Sequence, residues 1–242
     1  MKRAFTLVEL MVVTAIVVLV STLAVPSIGS LMSTYEKQKA IASLTGLIAT
    51  AQATAKSQFT LVALRIERAF EADEHGRMVL GPGGEPNWLD YQQVRLLVFA
   101  SGREQFGKSG AQISFRQLAD SKPIALPASF WLAPDYARSE EFDPTLQWQP
   151  ADPDTQPINT LDTFYLVWNR KGELIRLPAD RIVYLDATQG HALVDHPYPS
   201  ARAVIGYDRR AYEQSDGDLS ILDQGSPLYI NHQIASLVTG GN

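Results

Sequence analysis

The sequence predicts an α+β protein in which a long N-terminal helix packs on a mainly antiparallel β-sheet head. Apolar residues follow helical spacing as far as residue 58, and from residue 59 onward apolar and polar residues alternate as in strands. Two predicted strands are joined by the short turn NRKG at residues 169–172, which indicates a hairpin and therefore antiparallel pairing. Together these observations favour a helix on an antiparallel sheet.

The first element is the apolar run FTLVELMVVTAIVVLV at residues 5–20, which follows Lys2 and Arg3 directly. Residues 5–25 carry one charge and, at about 1.5 Å rise per residue, reach roughly 31 Å as a helix, the thickness of a bilayer core. The basic start predicts a cytoplasmic N-terminus by the positive-inside bias. We therefore expect a single membrane span with the head on the other side of the membrane.

Glu9 is the one charge within this run, and a carboxylate in an apolar spanning helix costs about 2.5 to 3.5 kcal/mol on the translocon scale. A cleavable secretory signal is one interpretation, since Thr22-Leu23-Ala24 resembles a signal cleavage site, but Glu9 weakens it. A plain membrane anchor leaves Glu9 unexplained. In an assembly helix Glu9 has a role, because an intramembrane charge is normally paired after insertion and the carboxylate would find its partner on assembly.

The helix is predicted to continue to residue 58. No proline occurs between Pro26 and Pro82, and the segment IASLTGLIATAQATAK has high helix propensity. Apolar or small residues recur at steps of three and four, at Ile41, Leu44, Ile48, Ala51, Ala55, Phe59 and Val62. This pattern predicts an amphipathic helix that docks on the head.

The head is predicted to consist mostly of strands. In TLVALRIE, Val62, Leu64 and Ile66 fall on one face, and Ala63, Arg65 and Glu67 on the other. Alternating runs predict strands near 60–67, 94–100, 113–118, 163–168, 173–177, 181–186 and 202–208. Glycine- and proline-rich stretches predict loops at 81–87 and 143–157.

The stretch KRAFTLVELMVV resembles the processing site of type IV prepilins and type II secretion pseudopilins: a basic leader, a small residue, then Phe, Thr, Leu, a hydrophobic residue, Glu and Leu. The resemblance implies that a prepilin peptidase cuts after Ala4 and methylates the terminal amine of Phe5. It also implies that the Glu9 carboxylate meets a neighbouring subunit's terminal amine, and that Pro26 kinks the helix. The chain departs from the usual pattern in having Ala4 in place of Gly and a leader of only four residues.

This resemblance implies four segments: a leader (1–4), a transmembrane and assembly helix (5–26), an amphipathic continuation (27–58) and a β-rich head (59–242). It implies a non-enzymatic filament subunit in the inner membrane, with a periplasmic head and no cofactor. The expected partners are the prepilin peptidase, other pilin or pseudopilin subunits and the inner-membrane assembly platform. The order of segments in the head is similar to minor pilins of the GspH/FimT type.

A rival motif is GREQFGKS, which matches the phosphate-binding pattern G-x-x-x-x-G-K-[ST] through Gly102, Gly107, Lys108 and Ser109. A P-loop must open a helix, whereas GAQISFRQL follows this motif with a glycine and strand-like alternation. We therefore predict a connection between strands that binds no nucleotide. A membrane-anchored nucleotide-binding protein and a Sec-exported soluble binding domain remain the alternatives.

Composition and the remaining polar residues give little sign of catalysis or metal binding. The absence of cysteine excludes thiolate zinc sites and thiol nucleophiles, and a net charge of -5 argues against nucleic-acid binding. The four histidines are scattered and lack metal-ligand spacing: His75, His191, His196 and His232. Two acidic groups also lack the spacing of a calcium loop: one is Asp152, Asp154 and Asp162, and the other is Asp216 and Asp218. We expect no metal site.

Overall fold

The structure is a computed structural model. It describes residues 7–71, 79, 81–82, 87–102, 112–119, 121–139, 142, 147–148, 158–159, 161–177, 181–185, 193–196, 200–231 and 236–239. In some stretches, of which residues 20–33 are the longest, the description covers the backbone alone.

The first element is the helix α1, Leu7–Ser57. It ends in a turn in which Phe59 adopts a left-handed conformation with φ of 51°. The Thr60 N–H donates to the Ala55 carbonyl over 3.2 Å, which closes the turn as in a Schellman motif. Glycine is the usual residue at the left-handed position, so Phe59 occupies it with backbone strain.

The head contains strands, a 3₁₀ helix and two short helices. The strands are β1 Val62–Phe70, β2 Trp88–Gly102, β3 Gln112–Gln117, β4 Ile124–Ala125, β5 Trp131–Pro134, β6 Gln147–Trp148, β7 Ile158–Asn159, β8 Phe164–Trp168, β9 Leu174–Ile175, β10 Arg181–Leu185, β11 Leu193–His196, β12 Ala203–Tyr207, β13 Ser226–Asn231 and β14 Ser236–Thr239. The 3₁₀ helix is Asp135–Arg138, and the short helices are α2 Arg209–Gln214 and α3 Ser220–Gln224.

The strands form a large sheet, a second sheet and a small ribbon. The large sheet has the order β11-β10-β3-β2-β1-β8-β9, with β4 also pairing with β2. The second has the order β14-β13-β12-β5, and β6 pairs with β7 in the ribbon. The β3–β10 pair is parallel, and the other ladders between named strands are antiparallel. The predicted α+β class with a mainly antiparallel sheet is confirmed.

The predicted hairpin at NRKG is also confirmed, because β8 and β9 pair antiparallel on either side of it. The Asn169 side-chain oxygen accepts from the backbone N–H of Lys171 at 2.9 Å and of Glu173 at 3.0 Å. Gly172 has a φ of 76°. The turn therefore uses asparagine to satisfy backbone donors and glycine to supply the left-handed residue.

The main core lies between α1 and the two sheets. The β1 residues Val62, Leu64 and Ile66 are fully buried in it, as the alternation predicts. The second sheet closes the same core with Leu132 and Leu228, both fully buried. One continuous apolar core therefore holds the helix and both sheets together.

The large sheet curls around a second apolar core on the face away from α1. Strands β9 and β10 are five strand spacings apart in the sheet order, roughly 24 Å if the sheet were flat. The six residue steps from Ile175 to Arg181 reach only about 20 Å. Leu177 and Ile182, on either side of this connection, pack in one cluster with Ala63.

Because of this curl, the face of β1 opposite Val62, Leu64 and Ile66 is buried as well. Arg65 and Glu67 lie on that face but are only 6% and 3% exposed. The Arg65 guanidinium donates to the Glu67 carboxylate, which also accepts from Gln93 at 2.9 Å and from Arg95. The polar residues of the alternation thus form a buried ionic cluster.

Other predicted segments agree with the structure to differing degrees. The strands expected near 94–100, 113–118, 181–186 and 202–208 correspond to β2, β3, β10 and β12. The loop expected at 143–157 contains β6, which is a correction. Among the residues that the structure describes, no helix carries a stretch long and apolar enough to cross a membrane. The expected span includes residues 5 and 6 and side chains of 20–26, which lie outside the description.

Candidate assembly helix

The first part of α1 is apolar on every face and exposed on every face. Between residues 7 and 19, large apolar side chains are 51% to 75% exposed. Successive helical residues are rotated by about 100°, so the four neighbours Leu10, Met11, Val12 and Val13 already point to all sides. The full set is Leu7, Val8, Leu10, Met11, Val12, Val13, Ile16, Val17, Val18 and Leu19.

The last part of the same helix is instead one-sided. Ala40, Leu44, Ile48, Ala51 and Ala55 are each no more than 2% exposed, and all lie in the main core. Their steps of four, four, three and four keep them on one face of the helix. The sequence predicted four of these five residues, and Ala40 is the addition. Phe59, also predicted on this face, is a correction, because it follows the end of α1 and is 69% exposed.

Two hydrogen bonds to the head fix the start of this docked part. Near its start, the Lys37 Nζ donates to the Ser226 hydroxyl at 2.9 Å. One residue earlier, the Glu36 carboxylate accepts from the Ser129 hydroxyl at 2.8 Å. Because these contacts and the core face hold the helix to the head, the exposed residues 7–19 extend a segment that is anchored from residue 36 onward.

Glu9 lies in the first turn of α1, and its side chain is exposed. A carboxylate there interacts favourably with the positive end of the helix macrodipole. The neighbouring side chains Val8 and Leu10 are 68% and 61% exposed. The structure thus presents the Glu9 carboxylate on an apolar surface at the beginning of the helix.

One side of the exposed segment carries a shallow groove lined by Met11, Thr14, Ala15, Val18 and Leu19. The small side chain of Ala15 lies four residues after Met11, and three and four residues before Val18 and Leu19. Residues at these spacings form the ridges and grooves of helix packing. The Thr14 hydroxyl donates to the Met11 carbonyl at 3.0 Å, so its polar group is satisfied within the helix. This side suits close approach by another helix.

The predicted processing residues Ala4 and Phe5 lie outside the described residues. Pro26 lies within α1, which is helical on both sides of it. The predicted kink at Pro26 stays a prediction.

Of the residues in GREQFGKS, the structure describes Gly102, which ends β2, whereas Gly107, Lys108 and Ser109 lie outside the described residues. Gly102 pairs with Ile113 of β3, and the two strands are antiparallel neighbours. The motif therefore connects two strands of one sheet. A P-loop instead leads from a strand into a helix, whose N-terminal amides hold the phosphates.

A buried ion pair on the head was not predicted. The Arg209 guanidinium donates to the Asp162 carboxylate at 3.2 Å, and Asp162 is 3% exposed. Arg209 also lies over two aromatic rings, with centroid distances of 4.5 Å to Trp131 and 5.3 Å to Tyr212. Burial raises the pKa of the Asp162 carboxyl, and the nearby Arg209 opposes this rise.

The other acidic candidates fall in different places. Asp218 accepts hydrogen bonds from the Ser220 N–H at 2.9 Å and the Ser220 hydroxyl at 2.6 Å, which lower its pKa. Asp152 and Asp154 lie outside the described residues. Within the described part of the chain, no group of three or more His, Asp or Glu side chains is placed to hold a metal ion.

Comparison of the chain with protein-family models, with curated proteins and with solved structures found no match.

Proposed function

We propose that this chain is a structural subunit of a type IV pilus or a type II secretion pseudopilus, and that it assembles through the first part of α1. One observation carries the proposal: residues 7–19 are apolar on every face and exposed, while the same helix is docked to the head from residue 36 onward. A helix that is apolar all round must be surrounded on all sides, by lipid or by other helices.

The proposed subunit uses both environments in turn. Before assembly, the segment lies in the inner membrane with its start in the cytoplasm, as the charge bias of Lys2 and Arg3 predicts. After assembly, neighbouring subunits surround it, and the groove around Ala15 takes a neighbouring helix. The head then lies on the outside, attached through the core face of α1.

In this proposal Glu9 is an assembly contact. The resemblance of KRAFTLVELMVV to prepilin processing sites implies a new terminal amine on Phe5, and a carboxylate four residues later is its natural partner in a neighbouring subunit. Removing one partner of a buried ion pair leaves the other charge uncompensated, which costs about 3 to 5 kcal/mol. The cost of placing the Glu9 carboxylate in the membrane would thus be offset by the ion pair that it forms in the filament.

The experiment compares wild type with Glu9→Val in a host that assembles filaments. Glu9→Val removes a charge from an apolar segment, so the amount of processed protein in the membrane should stay equal or rise. The amount in sheared filaments, or crosslinked to other subunits, should fall at least tenfold, since 1.4 kcal/mol already corresponds to about a factor of ten.

Lys39→Ala is the matched control. It also removes a charge from an exposed side chain of α1, but Lys39 lies outside residues 7–19 and outside the groove around Ala15. Incorporation of this variant should stay within about twofold of wild type. Undiminished incorporation of Glu9→Val would show that this carboxylate is not the assembly contact.

A further inference from the structure

A cavity of about 390 Å³ lies at the edge of the large sheet, on the head. Its lining includes Leu174 and Ile175 from β9, and Arg176 and Arg202. Strand β9 is the last in the sheet order, so it offers backbone groups that an added strand can pair with. The volume falls within the usual range for ligand sites in proteins.

One buried serine ties the backbone on either side of Arg176 to the segment that carries Arg202. The Ser200 hydroxyl donates to the Ile175 carbonyl at 2.9 Å and accepts from the Leu177 N–H at 2.8 Å. Arg176 lies between these two bonded residues, and Arg202 follows Ser200 by two positions. The Arg202 backbone N–H also donates to the Asp135 carboxylate at 3.2 Å, which fixes its chain direction.

Both guanidinium groups are available to a ligand. Arg176 and Arg202 are exposed, and neither side chain has a hydrogen bond or ion pair with another residue in the described structure. Guanidinium groups bind carboxylates through two parallel hydrogen bonds, and such pairs are stronger than neutral hydrogen bonds. Leu174 and Arg176 lie on one face of β9 and Ile175 on the other, so a strand that alternates carboxylate and apolar side chains matches this edge.

We propose that this cavity is a docking site for an extended acidic peptide segment of a partner protein. The peptide adds a strand to the outer edge of β9, places a Glu or Asp carboxylate between Arg176 and Arg202, and rests an apolar side chain on Ile175, which lies on the other face of β9. An edge strand recognises a peptide backbone, which a nucleic acid lacks. This proposal does not depend on assembly through α1.

The test uses the purified full-length chain in detergent and fluorescein-labelled eight-residue peptides that alternate valine with glutamate. Fluorescence anisotropy should show saturable binding that weakens with added salt. A peptide with glutamine in place of glutamate should bind at least about fivefold more weakly, because the paired charges are lost. An eight-nucleotide oligothymidine should show no saturable binding.

Arginine variants test whether the peptide binds at this cavity. Arg176→Ala and Arg202→Ala should each weaken binding of the glutamate peptide at least about fivefold, and the double variant should abolish it. Arg116→Ala is the matched control, since Arg116 is an exposed arginine on β3 of the same sheet. It should bind as wild type does. Thermal unfolding of each variant should stay unchanged, because both arginines are exposed.

Several outcomes would overturn the proposal. These are equal binding of the glutamate and glutamine peptides, unchanged binding by the double variant, preferential binding of the oligonucleotide, and no binding of the glutamate peptide up to about 1 mM. None of them bears on the Glu9 experiment, so this docking site and the assembly helix can fail separately.

Discussion

The Gln52 side-chain amide donates a hydrogen bond to the Gly172 carbonyl at 3.0 Å, across 120 residues of sequence. This contact joins the last turns of α1 to the β8–β9 turn. Gln52 is 8% exposed, so the bond is buried. It anchors the far end of the docked helix, as Glu36 and Lys37 anchor its beginning.

The first prediction concerns Gly172. Gly172→Ala should lower the free energy of unfolding by about 1 to 2 kcal/mol, because the φ of 76° is unfavourable for any residue with a Cβ. The new Cβ would also stand 3.0 Å from the Gln52 Cγ and close to the Lys56 side chain. Urea unfolding of the full-length chain in detergent, followed by tryptophan fluorescence, measures the change.

Gly46→Ala is the control for this prediction. Gly46 lies in α1, and nothing stands within 4 Å of the position a Cβ would take. Alanine there should raise the free energy of unfolding by about 0.5 to 1 kcal/mol, since glycine is a poor helix former. If both variants shifted stability in the same direction, the account of the β8–β9 turn would be wrong.

Local features of the fold could be predicted from the sequence, whereas long-range features could not. Residues 169–172 specify their own turn through one asparagine and one glycine, and the periodicity of α1 identifies its core face. The curl of the large sheet follows from comparing the reach of the β9–β10 connection with the distance between these strands. That distance is known only once the strand order is known. The burial of Arg65 follows from that curl.

The Asp162–Arg209 pair is a similar case, because its members lie 47 residues apart. The sequence showed Asp162 only as part of an acidic group without metal-ligand spacing, and no spacing signal connected it to Arg209. For the candidate assembly helix, the sequence identified the apolar segment and Glu9 directly. The sequence could not show where the docked part of the helix begins. One bond that fixes its start joins Glu36 to Ser129, which is 93 residues away in sequence.

The second prediction concerns pH. Burial raises the folded-state pKa of Asp162 above its ordinary value of 3.8. The folded state therefore binds the proton more tightly than the unfolded state, so Asp162 contributes stability at acid pH that is lost as the pH rises through the folded pKa. Asp162→Asn removes this titration.

The measurement is the free energy of unfolding of wild type minus that of Asp162→Asn, followed upward from a pH of about 4. The difference should become smaller as the pH rises. A difference that grows with pH would mean that Arg209 lowers the pKa of Asp162 below its ordinary value, contrary to this account.

The third prediction concerns GREQFGKS. We expect the full-length chain to show no saturable ATP binding, with or without magnesium, because the motif connects two antiparallel strands. Lys108→Ala should change the free energy of unfolding by less than about 0.5 kcal/mol. Isothermal titration calorimetry decides the matter, and micromolar ATP affinity that Lys108→Ala abolishes would restore the P-loop interpretation.

The mature N-terminus decides whether the chain is a pilin-like subunit, as proposed. The measurement is mass spectrometry of the protein from membranes of a host that carries a prepilin peptidase. A pilin-like subunit should begin at Phe5 and carry one methyl group on its terminal amine, and this is the expected result. A chain that begins at Val25, after the sequence Thr22-Leu23-Ala24, or one that keeps Met1 to Ala4, would contradict it.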